Sequence, residues 1–318
     1  MQAGECHISR ERDISNMIKN HSLIDLEVDI SDAITRHSAD VVVAYKEVES
    51  QPIYLGYYFP KEYDSDKEYP TFVFVHGGGW TSHRIFDGES GWQGDYLGYL
   101  ARYYAKEGFV SISIDYRLSC PDGQTEHYQI IDCYDDCSEA VDYILDRATE
   151  CGIDTENVFV LGESAGGHLA GLIITKYQRA GFRWKGAFLV NPITDLERDL
   201  KWKERVPQKT THPQLAKLPE SEYAKSLSPL YNISENTCPV VLIHGGRDSV
   251  VELAHSERFY QRMEELAREC EFHIIEDTNH AFLLAEYTDN IVACKIGIQI
   301  IDKCLKKWCS ETIIKSPF

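Results

Sequence analysis

Val158-Phe159-Val160-Leu161-Gly162-Glu163-Ser164-Ala165-Gly166-Gly167-His168-Leu169-Ala170 is the stretch on which the fold turns. Its first four residues are β-branched, aromatic or aliphatic, the make-up of a short buried strand. Helical character begins at Gly167. Between the two lies G-x-S-x-G, Gly162 to Gly166, in the strand–turn–helix setting that a nucleophile elbow requires. So tight a turn holds its serine at a strained backbone angle with Oγ raised above the sheet, and glycines without a Cβ let strand and helix close on it. Ser164 is therefore the candidate nucleophile.

Working outward, short apolar runs alternate with helical patterns. Strands are expected at Thr71 to Val75, Val110 to Ile114, Val158 to Leu161, Gly186 to Val190, Val240 to Ile243 and Phe272 to Ile275. Helices are expected at Tyr96 to Lys106, Ile130 to Ala148, Leu169 to Ala180, Ala254 to Arg268 and Ile291 to Trp308. Parallel strands need crossovers, so this alternation predicts a mostly parallel, doubly wound sheet with helices on both faces and the active residues at the carboxyl ends of strands. Asp40 to Glu47 and Ile53 to Phe59 read as antiparallel strands, and residues 1–40 as a polar, helical N-terminal segment. Thr194 to Asn236, with four prolines and many charges, is too long for an ordinary connection and predicts an inserted cap. The whole is expected to be one domain, residues 1–318.

Composition narrows the function. The 43% hydrophobic and 11% aromatic content supplies a sizeable core. A formal net charge of -19 repels phosphate backbones and anionic headgroups, so neither nucleic acid nor a membrane surface is an expected partner. The first residues hold no apolar core of a secretory signal, and no run reaches the length of a membrane span, which predicts a soluble, cytoplasmic protein. The ten cysteines are scattered and are expected to be thiols. Cys133 and Cys137, with His127 nearby, lack the second ligand pair of a metal site, so no metal and no cofactor is expected. Exposed edge strands leave a homodimer open.

Three further motifs end strands, and Ser164 with two of them follows the order nucleophile, acid, histidine. His76-Gly77-Gly78-Gly79-Trp80 follows the first buried strand. His244-Gly245-Gly246-Arg247-Asp248 puts Asp248 just past a later one, and Asp277-Thr278-Asn279-His280-Ala281-Phe282 puts His280 past the next. With Asp115-Tyr116-Arg117-Leu118 and Ser228-Pro229, these motifs make residues 50–308 resemble the hormone-sensitive-lipase-like branch of the α/β-hydrolase serine esterases. The chain is also similar to bacterial feruloyl and acetyl-xylan esterases and to arylformamidases. It departs from the pattern at Ser119-Cys120-Pro121-Asp122, where Ala-Pro-Glu is usual, and at Ala281 in place of glycine.

The resemblance implies an α/β-hydrolase fold and a carboxylic-ester hydrolase with an acyl-serine intermediate. Short-acyl or small aryl esters are the expected substrates, acetyl or feruloyl esters of plant carbohydrate among them. In that scheme His280 takes the proton of Ser164, Asp248 orients and stabilises the imidazole, and the amides of Gly78, Gly79 and Ala165 receive the oxyanion. Trp80, next to those glycines, is expected to line the substrate pocket, and Trp92 stands between that role and packing. Asp277 is a rival acid without the turn that carries Asp248. His76, His168, His244, His255 and His273 read as structural, as do Glu163 and Asp115. The alternatives are an arylformamidase using the same triad on an N-formylkynurenine-type amide, and a non-catalytic ligand receptor on the same fold, which would be expected to lack His280.

Overall fold

Residues 19–21, 29, 38–81, 97–119, 128–198, 217–284 and 290–309 are described by a computed structural model. Its strands are β1 Lys19–His21, β2 Val41–Val48, β3 Gln51–Tyr58, β4 Tyr69–Val75, β5 Val110–Ile114, β6 Ile153–Glu163, β7 Gly186–Val190, β8 Val240–Gly245 and β9 Cys270–Ile275. They form one sheet in the order β1-β9-β8-β7-β6-β4-β5-β3-β2. From β1 to β5 every neighbour is parallel. The β2–β3 hairpin then pairs antiparallel along the far edge.

Successive side chains of a strand point to opposite faces, and here both faces are apolar because both are covered. On β4, Val73 and Val75 enter one core while Phe72 and Phe74 enter the other. The first core is closed by α2 Ile130–Asp146, α3 Ala165–Lys176 and α6 Ala254–Glu265, the second by α1 Gly98–Lys106 and α7 Ile291–Trp308. Phe72 anchors an aromatic cluster in the second core, with Tyr104 at 4.9 Å and Phe188 at 5.6 Å between ring centroids. Such tilted pairs add to the burial of their area. The loops that carry Ser164, Asp248 and His280 thus stand on a sheet fixed from both sides.

The N-terminal reading needs correction where it is described. Lys19–His21 is a strand, not helix, paired parallel to His273–Ile275 of β9. Three polar residues carry no periodic signal; the open backbone edge of β9 recruits them. The rest of residues 1–40, apart from 29 and 38–40, lies outside the described residues.

Within the interval expected to be a cap, residues 199–216 lie outside the described residues. The described part holds α4 Glu220–Ser226 and α5 Pro229–Asn232. It packs into the first core through Tyr223, Leu227 and Leu230. Ser228 Oγ donates to Ala224 O and accepts from the Leu196 amide, tying the two ends of the interval together.

Candidate active site

The elbow is built by close approach. β6 runs into α3 through Ser164, whose φ of 58° and ψ of −120° lie where non-glycine residues are rarely found. A Cβ on Gly162 would sit 2.2 Å from Gly166 O, and one on Gly166 would sit 2.1 Å from Val75 O. Only hydrogen fits at either position. The Ser164 amide donates to Val190 O on β7, which seats the turn on the neighbouring strand.

Asp248 and His280 reach Ser164 from the next two strand ends. His280 Nδ1 is 2.6 Å from Asp248 Oδ2, and His280 Nε2 is 2.9 Å from Ser164 Oγ. A carboxylate only accepts, so Nδ1 carries the proton and the lone pair on Nε2 faces the serine hydroxyl. The other carboxylate oxygen, Oδ1, accepts from the Val250 and Val251 amides at 2.8 and 2.9 Å. Burial alone would raise the Asp248 carboxyl, but hydrogen bonds from His244 and His280 outweigh it and hold the group well below the usual carboxylate range. Asp277 is far more exposed and pairs with Arg247. The structure therefore brings Ser164, His280 and Asp248 together and leaves the rival acid outside.

Phe282 and Leu283, just past the histidine, are buried against α7, and Tyr99 of α1 donates to Leu283 O. This clamp holds the His280 turn against the second core.

The glycine loop follows β4. Gly78 and Gly79 have φ of 100° and 61°, which glycine adopts without steric penalty. A Cβ on Gly77 would lie 3.4 Å from Ser164 Cβ, so this loop flanks the elbow. Ala165 opens α3, where first-turn amides have no partner within the helix. His76 stacks on Tyr116 at 4.2 Å, with Nε2 3.2 Å from Asp115 Oδ1, and Tyr116 donates to His76 O. These contacts anchor the loop, as the reading of His76 and Asp115 expects.

Trp80 requires a correction. Its side chain is fully buried, and its indole N–H donates to His168 Nδ1 at 3.2 Å. The ring packs within the first core. His168 completes a strut by donating from Nε2 to Leu227 O. Burial pushes this imidazole down to about 3, which keeps it neutral. Trp92 and His127 lie outside the described residues.

Two neighbours of the triad, Glu163 and His244, are read from the sequence as structural. Glu163 is buried directly before the nucleophile, and neither of its oxygens completes a hydrogen bond. Burial pushes its carboxyl up to about 7, against the pull of the His280 ring and the Leu283 amide. His244, at the end of β8, places Nδ1 2.8 Å from Ser256 Oγ and Nε2 3.1 Å from Val251 O and 3.5 Å from Asp248 Oδ2. Its position four residues before the acid, at a strand end, is the one signal that points to it.

The described cysteines, Cys133 to Cys309, are thiols without disulfides. Cys133 Sγ bonds to the Arg117 carbonyl on a buried helix face. Among the described residues, Glu271, His273 and Cys304 bring three potential ligand atoms within 4.8 Å, apart from the triad residues.

A BD-FAE family model matches residues 55–263, a span that holds the glycine loop, the elbow and Asp248. The chain belongs to the BD-FAE family. Among curated relatives of this BD-FAE protein, kynurenine formamidase of Danio rerio is 24% identical over 266 residues, covering 82% of this chain and 81% of that protein. Esterase LipC of Mycobacterium tuberculosis is 27% identical over 223 residues, covering 64% of this chain and 50% of LipC, so the chain spans about half of that relative. Among solved structures, propionate-bound esterase 2 of Thermogutta terrifontis superposes with a TM-score of 0.71 at 22% identity, over 89% of this chain and 98% of that one. The shared architecture is the α/β-hydrolase fold. Among the described residues no helix is long and apolar enough to cross a membrane.

Proposed function

We propose that this protein is a carboxylic-ester hydrolase working through an acyl-serine intermediate, with short-acyl or small aryl esters as substrates. The observation that carries this reading is the continuous relay from Ser164 Oγ through both nitrogens of His280 to Asp248 Oδ2. Ser164 Oγ attacks the ester carbonyl as its proton passes to His280 Nε2, and Asp248 stabilises the imidazolium. The charge that develops on the carbonyl oxygen is received by the amides of Gly78, Gly79 and Ala165. Collapse expels the alcohol with the proton from Nε2, and a water repeats the sequence to free the acid. Esterase relatives and the family membership support the class.

The test is turnover of p-nitrophenyl acetate and butyrate by the wild type and Ser164→Ala. Loss of about 10⁴-fold or more in kcat is expected, since the nucleophile is removed while the oxyanion donors stay. Equal rates for the two proteins would sink the assignment. A panel of acyl lengths with acetylated xylan and methyl ferulate reads the substrate class.

A second reading rests on a specific observation. The relative named kynurenine formamidase matches over four-fifths of both chains, whereas LipC matches over half of its own length. The same triad on an N-formyl aryl amide would release formate. Fast formylkynurenine turnover with weak ester cleavage would favour it.

A further inference from the structure

The side chains of His244 and Asp248 are both buried and meet in the space between β8 and the start of α6. The imidazole proton can be located from its neighbours. Val251 O and Asp248 Oδ2, the two atoms that face Nε2, are acceptors only, so Nε2 must carry a proton whether the ring is neutral or cationic. Nδ1 faces the hydroxyl of Ser256, which can donate or accept.

We propose that His244 is a positioning residue that acts through the catalytic acid: its Nε2–H, shared between Val251 O and Asp248 Oδ2, withdraws charge from the oxygen that pairs with His280 and thereby sets how tightly His280 holds its proton. This rests on the triad reading above. Asp248 is already aimed by two backbone amides on Oδ1, so aiming does not need His244. What His244 adds is a second imidazole on Oδ2, 3.5 Å away between two buried side chains, where such a contact is less screened than at the surface. The depressed proton affinity of Asp248 is in keeping with both imidazoles acting on it.

Other charged or titratable groups lie around Asp248 among the described residues. Glu163, on β6, interacts with both His280 and Asp248. Arg247 and Asp277 pair with each other in solvent. On α6, His255 spends Nδ1 on the Thr194 and Asp195 amides, and Arg258 pairs with Asp195. Because burial pushes the Glu163 carboxyl up to about 7, the readout must be a difference between variant and wild type.

His244→Leu removes the donor, and His244→Gln restores an N–H at similar reach. Without the donor, charge concentrates on Oδ2, the imidazolium is held more tightly, and the acid limb of kcat/KM against pH moves up. A rise of about half to one pH unit is expected in His244→Leu, with KM within about twofold and the wild-type midpoint regained in His244→Gln. A midpoint within about 0.2 unit of wild type, or one that moves down, overturns the proposal. If His244→Leu does not fold, long-range proton–nitrogen NMR of the wild-type imidazoles decides it. A protonated Nε2 on His244 supports the proposal, and a bare one overturns it. The hydrolase reading fails separately, by absent turnover in the wild type, and the NMR measurement still tests the contact in that event.

Discussion

Ser164 holds a backbone conformation that costs of order 1–3 kcal/mol, and its neighbours must supply the compensation. Gly166 is where that compensation is most exposed to mutation. In Gly166→Ala the new methyl would meet Val75 O at 2.1 Å, which neither strand nor helix can yield without opening the elbow. Loss of ester turnover together with a fall in Tm is expected, and circular dichroism melts beside the p-nitrophenyl acetate rate check it. Glu163 makes a prediction of opposite sign. Its folded-state proton affinity, about 7, exceeds the ordinary value of 4.5, so its contribution to stability is complete below 4.5 and is lost as pH rises through 7. Glu163→Gln therefore gains stability relative to wild type between pH 5 and pH 8, by at most about 3 kcal/mol. Paired Tm measurements at the two pH values read it, and Asp302, which burial also pushes up, to about 6, cancels in the difference. At this scale the sequence was readable where chemistry demands a residue type at a strand end, as for Ser164, Asp248 and His280. It was silent where only side-chain direction matters. Trp80 packs inward onto His168, and His244 meets Asp248 because of how the β8 turn folds back, and spacing encodes neither.

Between elements, the hydrogen-bond strut from Trp80 through His168 to Leu227 couples the glycine loop, α3 and the base of α4. His168→Leu keeps the volume but orphans the indole N–H and the Leu227 carbonyl, each costing about 1–3 kcal/mol. A lower urea midpoint with an unchanged m-value is the expected result. Because the strut ends on the residue that follows the glycines, turnover should fall as well, by less than in Ser164→Ala. The strands from β4 to β9 were legible because a strand covered on both faces must be apolar throughout, and helices must intervene between parallel neighbours. β1 was not legible. Its residues Lys19–His21 are polar, and their conformation is imposed by the edge of β9, a contact at a separation no local pattern records. Helix α3 begins at Ala165, four residues before the apolar periodicity of Leu169, because the elbow starts it.

The molecule as a whole carries a net charge of -19, which acts on encounter rates instead of on the fold. An aryl ester bearing a carboxylate should therefore show kcat/KM rising with salt from about 10 to 300 mM, as screening shortens the reach of the field, while neutral p-nitrophenyl acetate stays flat. Parallel slopes for the two substrates would remove the field as a determinant of specificity. The positions of Ser164 and His280 along the chain have a further outcome, one that concerns manufacture. Ser164 leaves the ribosome 116 residues ahead of His280, roughly 6 to 20 seconds at ordinary synthesis rates. Throughout that interval the growing polypeptide holds Ser164 without the imidazole that faces it in the folded protein. The contact between Ser164 and His280 is thus withheld until β9 has docked beside β8.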